Sequence, residues 1–75
     1  MKKLTPKEQE ILELIGKGYS SNQIAFVQQI SQHTVETHRK SLLAKFNAKN
    51  AAELVVKAIQ NKSLNVQLRL DDTDE

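Results

Sequence analysis

The sequence predicts an all-α fold, a four-helix bundle with a central helix-turn-helix and an extended C-terminal tail. Four segments carry apolar residues at helical spacing, and each segment follows a residue type that caps helix N-termini. Only residues 64–71 alternate with a period of two. The predicted helices span residues 5–17, 21–28, 32–46 and 50–62.

The first helix has a clear start, because Thr5 and Glu8 form a capping box with Pro6 at the first helical position. Gly18 supplies a left-handed stop. The residues predicted to face the core are Ile11, Leu12, Leu14 and Ile15. The residues predicted to face water are Glu8, Glu10, Glu13 and Lys17.

The second helix is short and is capped within Ser20–Gln23. A few residues connect it to a longer helix that begins after Ser31. This spacing is typical of a helix-turn-helix, in which the first helix supports the second against DNA, although many helical hairpins share it.

The third helix has two different faces. At 100° per residue, Val35, Leu42 and Phe46 form one buried stripe. The opposite, polar face holds His33, Glu36, Thr37, Lys40 and Ser41. These short donors and acceptors and the flexible cation suit base edges and phosphates in a DNA major groove, and an ordinary solvated face is the alternative.

The fourth helix carries more apolar surface than a small core needs. Asn47 ends the third helix, and Asn50 with Glu53 caps the fourth. Its core residues are Ala51, Leu54, Val55 and Ala58, and a second apolar stripe consists of Ala52, Val56 and Ile59. This stripe predicts a weak two-fold homodimer, and the alternative is that the alternating Leu64–Leu70 segment of the same chain covers it.

Two regions are predicted, a helical domain over residues 1–63 and an extended, acidic tail over residues 64–75. The alternation of Leu64–Leu70 is typical of a strand. The tail has a charge of −3 within a total of +2, so the remainder has +5. A basic body favours an anionic partner such as nucleic acid.

The composition argues against several other classes. The chain has no cysteine and no glycine-rich phosphate loop, and His33 and His38 diverge on their helix, so no enzyme activity, metal site or cofactor is expected. No apolar run is long enough to span a membrane, so no membrane association is expected. The absence of cysteine favours an intracellular location.

Together these elements resemble the LuxR-type helix-turn-helix domain of bacterial response regulators and quorum-sensing regulators. The matching residues are LTPKEQEIL from Leu4, Gly18, Ser20, Ile24-Ala25, Ser31, Thr34-Val35, His38, Lys45-Phe46 and Ala52-Glu53-Leu54-Val55. The resemblance implies a transcriptional regulator that binds specific double-stranded DNA sequences, located in the bacterial cytoplasm at the nucleoid. It also implies that the third helix enters the major groove and that the fourth carries a dimer contact.

The resemblance also assigns individual positions. The residues expected to approach bases are Glu36, Thr37 and Lys40, and those expected at the DNA backbone are Ser21, Asn22, Gln23, Thr34 and Lys45. Gln23 replaces a usual Lys, which weakens the expected phosphate contact there. Phe46-Asn47 replaces Leu-Gly, and the segment Phe26–Gln29 is less polar than is usual in the family.

The alternative function is a protein-interaction module that kept this fold and lost DNA binding. Glu36 on the polar face, Gln23 in place of Lys and the acidic tail favour it. Family members usually have a sensing domain before this module, and the chain shows none, so a sensing domain or partner protein outside the chain is a further expectation.

Overall fold

A computed structural model describes residues 3–64 of the 75-residue chain. Its helices are α1 (Pro6–Gly16), α2 (Ser21–Gln28), α3 (Gln32–Phe46) and α4 (Ala51–Gln60), which confirms the predicted fold class. The predicted bounds of α2 and α3 agree with the structure, and those of α1 and α4 had included flanking cap residues. The predicted acidic tail and strand lie outside the described residues, apart from Leu64.

Each helix begins at a polar residue that accepts a hydrogen bond from the backbone N–H three residues later. The four caps are Thr5, Ser20, Ser31 and Asn50, with N···O distances of 2.8–3.2 Å. At α1 and α2 the bond is reciprocal, so both starts are complete capping boxes. At α4 Glu53 instead accepts from the backbone N–H of Lys49, one residue before the cap.

All four helices end in the same way, with a left-handed residue after the last turn and two backbone bonds back into the helix. The left-handed residues are Gly18, Gln29, Asn47 and Lys62, with φ between 54° and 92°. At α2, for example, the N–H groups of Gln29 and Ile30 donate to the carbonyls of Phe26 and Ala25. Gly18 and Asn47 were predicted as stops, whereas Gln29 and Lys62 were not.

Helix α3 lies at the centre of the fold and packs against α1, α2 and α4. The core combines residues from the predicted buried faces of all four helices with Leu64, which follows α4 and had been assigned to the tail: Ile11, Leu12, Ile15, Ile24, Val35, Leu42, Phe46, Leu54, Ala58 and Leu64. Because α3 is covered on one side by three helices, its orientation is determined by the whole fold.

Leu64 closes the described part of the chain by packing over the end of α1. It is 6% exposed, and its Cδ1 atom lies 3.0 Å from the position that a Cβ at Gly16 would occupy. Gly16 therefore leaves room for Leu64, and a larger residue there would push Leu64 outward.

One polar residue of α1 does not lie where the sequence predicted. Glu8 was placed on the water-facing side of α1, yet it is only 5% exposed. The prediction was wrong because Glu8 bonds to α3, a contact that the periodicity of α1 cannot reveal.

In the part of the chain that the structure describes, no helix combines the length and the apolar character needed to cross a membrane.

Candidate nucleic-acid interface

The middle of α3 presents the three residues predicted to contact bases. Thr37 and Lys40 are exposed and Glu36 is partly exposed, while Val35 on the opposite side is fully buried. The Thr37 hydroxyl donates to the carbonyl of His33 at 3.1 Å. This bond orients the side chain and leaves its oxygen lone pairs available to a donor.

Glu36 and Lys40 differ in their electrostatic surroundings. One carboxylate oxygen of Glu36 lies 3.7 Å from Nε of Arg39, which offsets part of its negative charge. Among residues 3–64, the Lys40 ammonium has no carboxylate within ion-pair distance. The exposed face therefore carries one flexible cation, Lys40, beside two hydrogen-bond acceptors, the Glu36 carboxylate and the Thr37 hydroxyl. This combination is suited to a base edge.

The first turn of α2 holds three predicted backbone-contacting residues. Ser21 is half-buried, and Asn22 and Gln23 are exposed. The Gln23 side chain uses its oxygen to accept from the Ser20 N–H at 2.8 Å, so its amide –NH₂ remains available as a donor. An uncharged first turn with the partial positive charge of a helix N-terminus is compatible with an anion.

Thr34 stands at the start of α3, in the cap of that helix. Its hydroxyl lies 2.9 Å from the hydroxyl of Ser31, which also accepts from the Thr34 N–H at 3.0 Å. Thr34 is therefore held close to the exposed N-terminus of α3, about one helical turn before Thr37 and nearly two turns before Lys40.

Lys45, the last predicted backbone-contacting residue, faces α1. Its ammonium donates to Oε1 of Glu8 at 2.5 Å and to the carbonyl of Lys3 at 3.1 Å. Ser41, one turn earlier on α3, donates to Oε2 of Glu8 at 2.7 Å. The Lys45 bond, the Thr5 N–H and Ser41 lower the pKa of Glu8 to about 2 against the opposing effect of burial.

The structure thus brings Glu36, Thr37 and Lys40 together on one face, with Thr34 on the preceding turn. Lys45 is set apart by its bonds to the first turn of α1. Sequence reasoning missed the connecting role of Glu8. The i,i+4 spacing of Ser41 and Lys45 placed them on one side of α3, but it did not identify their partner.

Within residues 3–64, apolar side chains are exposed on two surfaces. Tyr19 just before α2 is 37% exposed, and Phe26 and Val27 on α2 are 86% and 50% exposed. Together with Asn22 and Gln23 these residues line a shallow depression of about 390 Å³. On α4, Ala52, Val56 and Ile59 are exposed, Val56 by 51% and Ile59 by 40%. The structure therefore separates the two predicted faces of α4 as expected, with Leu54 and Ala58 buried and the outer stripe exposed.

Across the described residues, no three His, Asp or Glu side chains lie close enough to hold a metal ion together.

The sequence is similar to those of known bacterial regulators. Residues 2–58 match the family described as bacterial regulatory proteins, luxR family. Among curated relatives, the tetrathionate response regulatory protein TtrR of Salmonella typhimurium is 42% identical over 52 residues, 69% of this chain and 25% of that protein. The response regulator protein VraR of Staphylococcus aureus is 41% identical over 58 residues, 77% of this chain and 28% of that protein.

A solved structure is also similar, that of the VqmA–ligand–DNA complex of Vibrio cholera. It superposes with a TM-score of 0.81 at 34% identity, covering 89% of this chain and 29% of that one. The chain thus spans about a quarter of the length of the curated relatives that it matches. Because the family match covers most of its length, the chain belongs to the luxR family of bacterial regulatory proteins.

Proposed function

We propose that this chain binds double-stranded DNA as part of a bacterial transcriptional regulator, with α3 in the major groove. The observation that carries the proposal is the exposed face of Glu36, Thr37 and Lys40 on a helix whose other side is held by three helices. The similarity to a protein solved with DNA supports it. The proposal includes a location in the cytoplasm, at the nucleoid.

The dimensions suit this arrangement. The 15 residues of α3 span about 22 Å, and a helix fits the major groove, which is about 12 Å wide. In this position Lys40 donates to a guanine edge, Glu36 accepts from a cytosine amino group and Thr37 contacts a neighbouring base. Backbone contacts are assigned to α2 and to the two ends of α3: Ser21, Asn22, Gln23, Thr34 and Lys45.

Selection of bound sequences from a random duplex pool tests the proposal directly. We expect a short enriched motif, since base contacts from three adjacent side chains discriminate among sequences. A pool that stays random after several rounds, despite measurable binding, would contradict sequence-specific recognition.

Lys40→Ala provides a test at one residue. Because its ammonium is exposed and is assigned to a base edge or nearby phosphate, we expect binding to the selected duplex to weaken by about 1–3 kcal/mol. Stability should change by less than about 0.5 kcal/mol, as for other surface substitutions. Fluorescence anisotropy measures the affinity, with Lys49→Ala as an exposed lysine outside the proposed interface. Equal loss in both variants would remove Lys40 from the base-contacting set.

The proposal includes a weak homodimer through α4. The exposed stripe of Ala52, Val56 and Ile59 is apolar and follows one side of the helix, so two copies can pair the same surface about a two-fold axis. Such a pair places two α3 helices about 34 Å apart, one turn of DNA, and favours a palindromic site. A sensing domain or partner protein outside this chain remains part of the proposal, since the relatives are much longer.

The second candidate function is a protein-interaction module, and the exposed apolar depression on α2 favours it. Phe26 is 86% exposed and lies beside Tyr19 and Val27 in a stretch without charge. A titration with random duplex at low and moderate salt separates the candidates. DNA binding gives a steep salt dependence through phosphate neutralisation, and an interaction module shows no such binding.

A further inference from the structure

Glu8 is a buried carboxylate that contacts the DNA-facing helix without belonging to its exposed face. We propose that Glu8 is a positioning residue for DNA binding, which holds Lys45 as a charge-neutralised, pre-oriented hydrogen-bond donor to one phosphate. This inference rests on the proposed function, and it assigns a specific electrostatic character to one of its contacts.

The first step is the geometry around the carboxylate. Glu8 is 5% exposed, and both of its oxygens are used. Oε1 accepts from the Thr5 N–H at 3.0 Å and from Lys45, and Oε2 accepts from the Ser41 hydroxyl at 2.7 Å. Because Ser41 and Lys45 lie one turn apart on α3, Glu8 binds that helix at two points and sets its rotation relative to α1.

The second step concerns the donors of Lys45. An ammonium has three N–H groups, and within residues 3–64 two of them are engaged, by Glu8 and by the Lys3 carbonyl. The side chain is still 21% exposed, so the third N–H can reach solvent or a phosphate oxygen. The two internal bonds hold the side chain in place before DNA arrives, which lowers the entropic cost of contact.

The third step is the charge. The Glu8–Lys45 pair is neutral as a unit, so a phosphate bonded to Lys45 gains a hydrogen bond with little net neutralisation. Lys40, without a carboxylate partner in the described residues, supplies a full positive charge. Counterion release depends on the charge that the protein brings to the phosphates, so the two lysines should differ in their effect on salt dependence.

The experiment measures the affinity of the full chain for a 20-base-pair random-sequence duplex across a salt series, as a plot of log K against log salt. Three variants are compared with the wild type: Glu8→Gln, the double variant Glu8→Gln/Lys45→Met, and Lys40→Met as the matched lysine control. Circular dichroism checks that each variant retains its helical content.

The inference predicts a distinct result for each variant. Lys40→Met should make the slope shallower by about one. The double variant removes the pair with no change in net charge, so it should keep the wild-type slope while binding about tenfold more weakly at every salt concentration. Glu8→Gln should make the slope steeper by up to about one, because it frees the charge of Lys45. A purely structural role for Glu8 would weaken binding without steepening the slope.

Other results would overturn the inference. A double variant with a slope shallower by about one would mean that Lys45 leaves Glu8 and acts as an ordinary cation. An unchanged affinity in the double variant would mean that Lys45 touches no phosphate. If the double variant loses its helices, the test rests on Glu8→Gln alone. In that case, a Glu8→Gln slope that equals the wild-type slope or is shallower contradicts the inference. Absence of duplex binding by the wild type would instead refute the proposed function itself.

Discussion

At the scale of single residues, the most constrained group is the carboxylate of Glu8. Burial alone would raise its pKa, but the bonds from Lys45, from the Thr5 N–H and from Ser41 outweigh that effect and lower the pKa from 4.5 to about 2. A buried ion pair is stabilising only when its remaining hydrogen-bonding groups are satisfied. Glu8 meets this condition, because both oxygens have donors.

The lowered pKa predicts a specific acid sensitivity. Because the folded-state pKa lies below the unfolded value, the contribution of Glu8 is complete above about pH 4.5 and is lost as the pH falls toward 2. After allowance for solvent screening at the molecular edge, the loss should be about 1–2 kcal/mol. Urea unfolding at pH 6 and pH 3 measures it, with Glu8→Gln as the control. If wild type and variant lose the same stability between these pH values, Glu8 does not cause the sensitivity.

At the scale of elements, the helices could be predicted because their starts and stops are local. The caps at Thr5, Ser20, Ser31 and Asn50 depend on residues three positions apart, which the sequence displays directly. The left-handed stops at Gln29 and Lys62 could not be predicted, because neither residue type prefers that conformation.

The turn between α2 and α3 should therefore contain removable strain. Gln29 has φ = 58° and is exposed, so Gln29→Gly removes the cost of a left-handed side chain and loses few contacts. We expect a gain of up to about 1 kcal/mol in the free energy of unfolding, the relief of strain being partly offset by glycine's larger unfolded-state entropy. Urea unfolding checks the gain, and Gln29→Ala serves as the control that retains the Cβ. Destabilisation by glycine would show that the Gln29 side chain itself supports the turn.

At the scale of the whole molecule, the sequence predicted which faces are buried and which are exposed, but not the contacts between distant helices. Periodicity separated the buried Leu54 and Ala58 from the exposed Val56 and Ile59 on α4. It likewise placed Thr37 and Lys40 outward on α3. The bond between Glu8 and Lys45 joins residues 37 positions apart, so it depends on the packing of α1 against α3 and has no local signal.

The exposed stripe of α4 leads to the prediction for the assembled protein. Each patch is small, and an interface well below the common total of about 1,600 Å² is weak, so DNA should stabilise a dimer that dissociates when dilute. Val56→Glu places a charge at the centre of this contact. We expect it to abolish cooperative binding to a palindromic duplex while half-site affinity is retained.

The free energy of unfolding of Val56→Glu shows whether the stripe is a dimer contact or part of the monomer core. Val56 is 51% exposed, so its replacement should change the free energy of unfolding by less than about 0.5 kcal/mol. Val27→Glu is the matched control, since Val27 is 50% exposed on α2 and lies outside the stripe, and it should leave the cooperativity unchanged. Binding isotherms on palindromic and half-site duplexes, together with thermal unfolding, provide both measurements. If Val56→Glu unfolds the protein, the stripe belongs to the core of the monomer. If the variant stays folded and still binds the palindromic duplex cooperatively, the two copies meet through another surface.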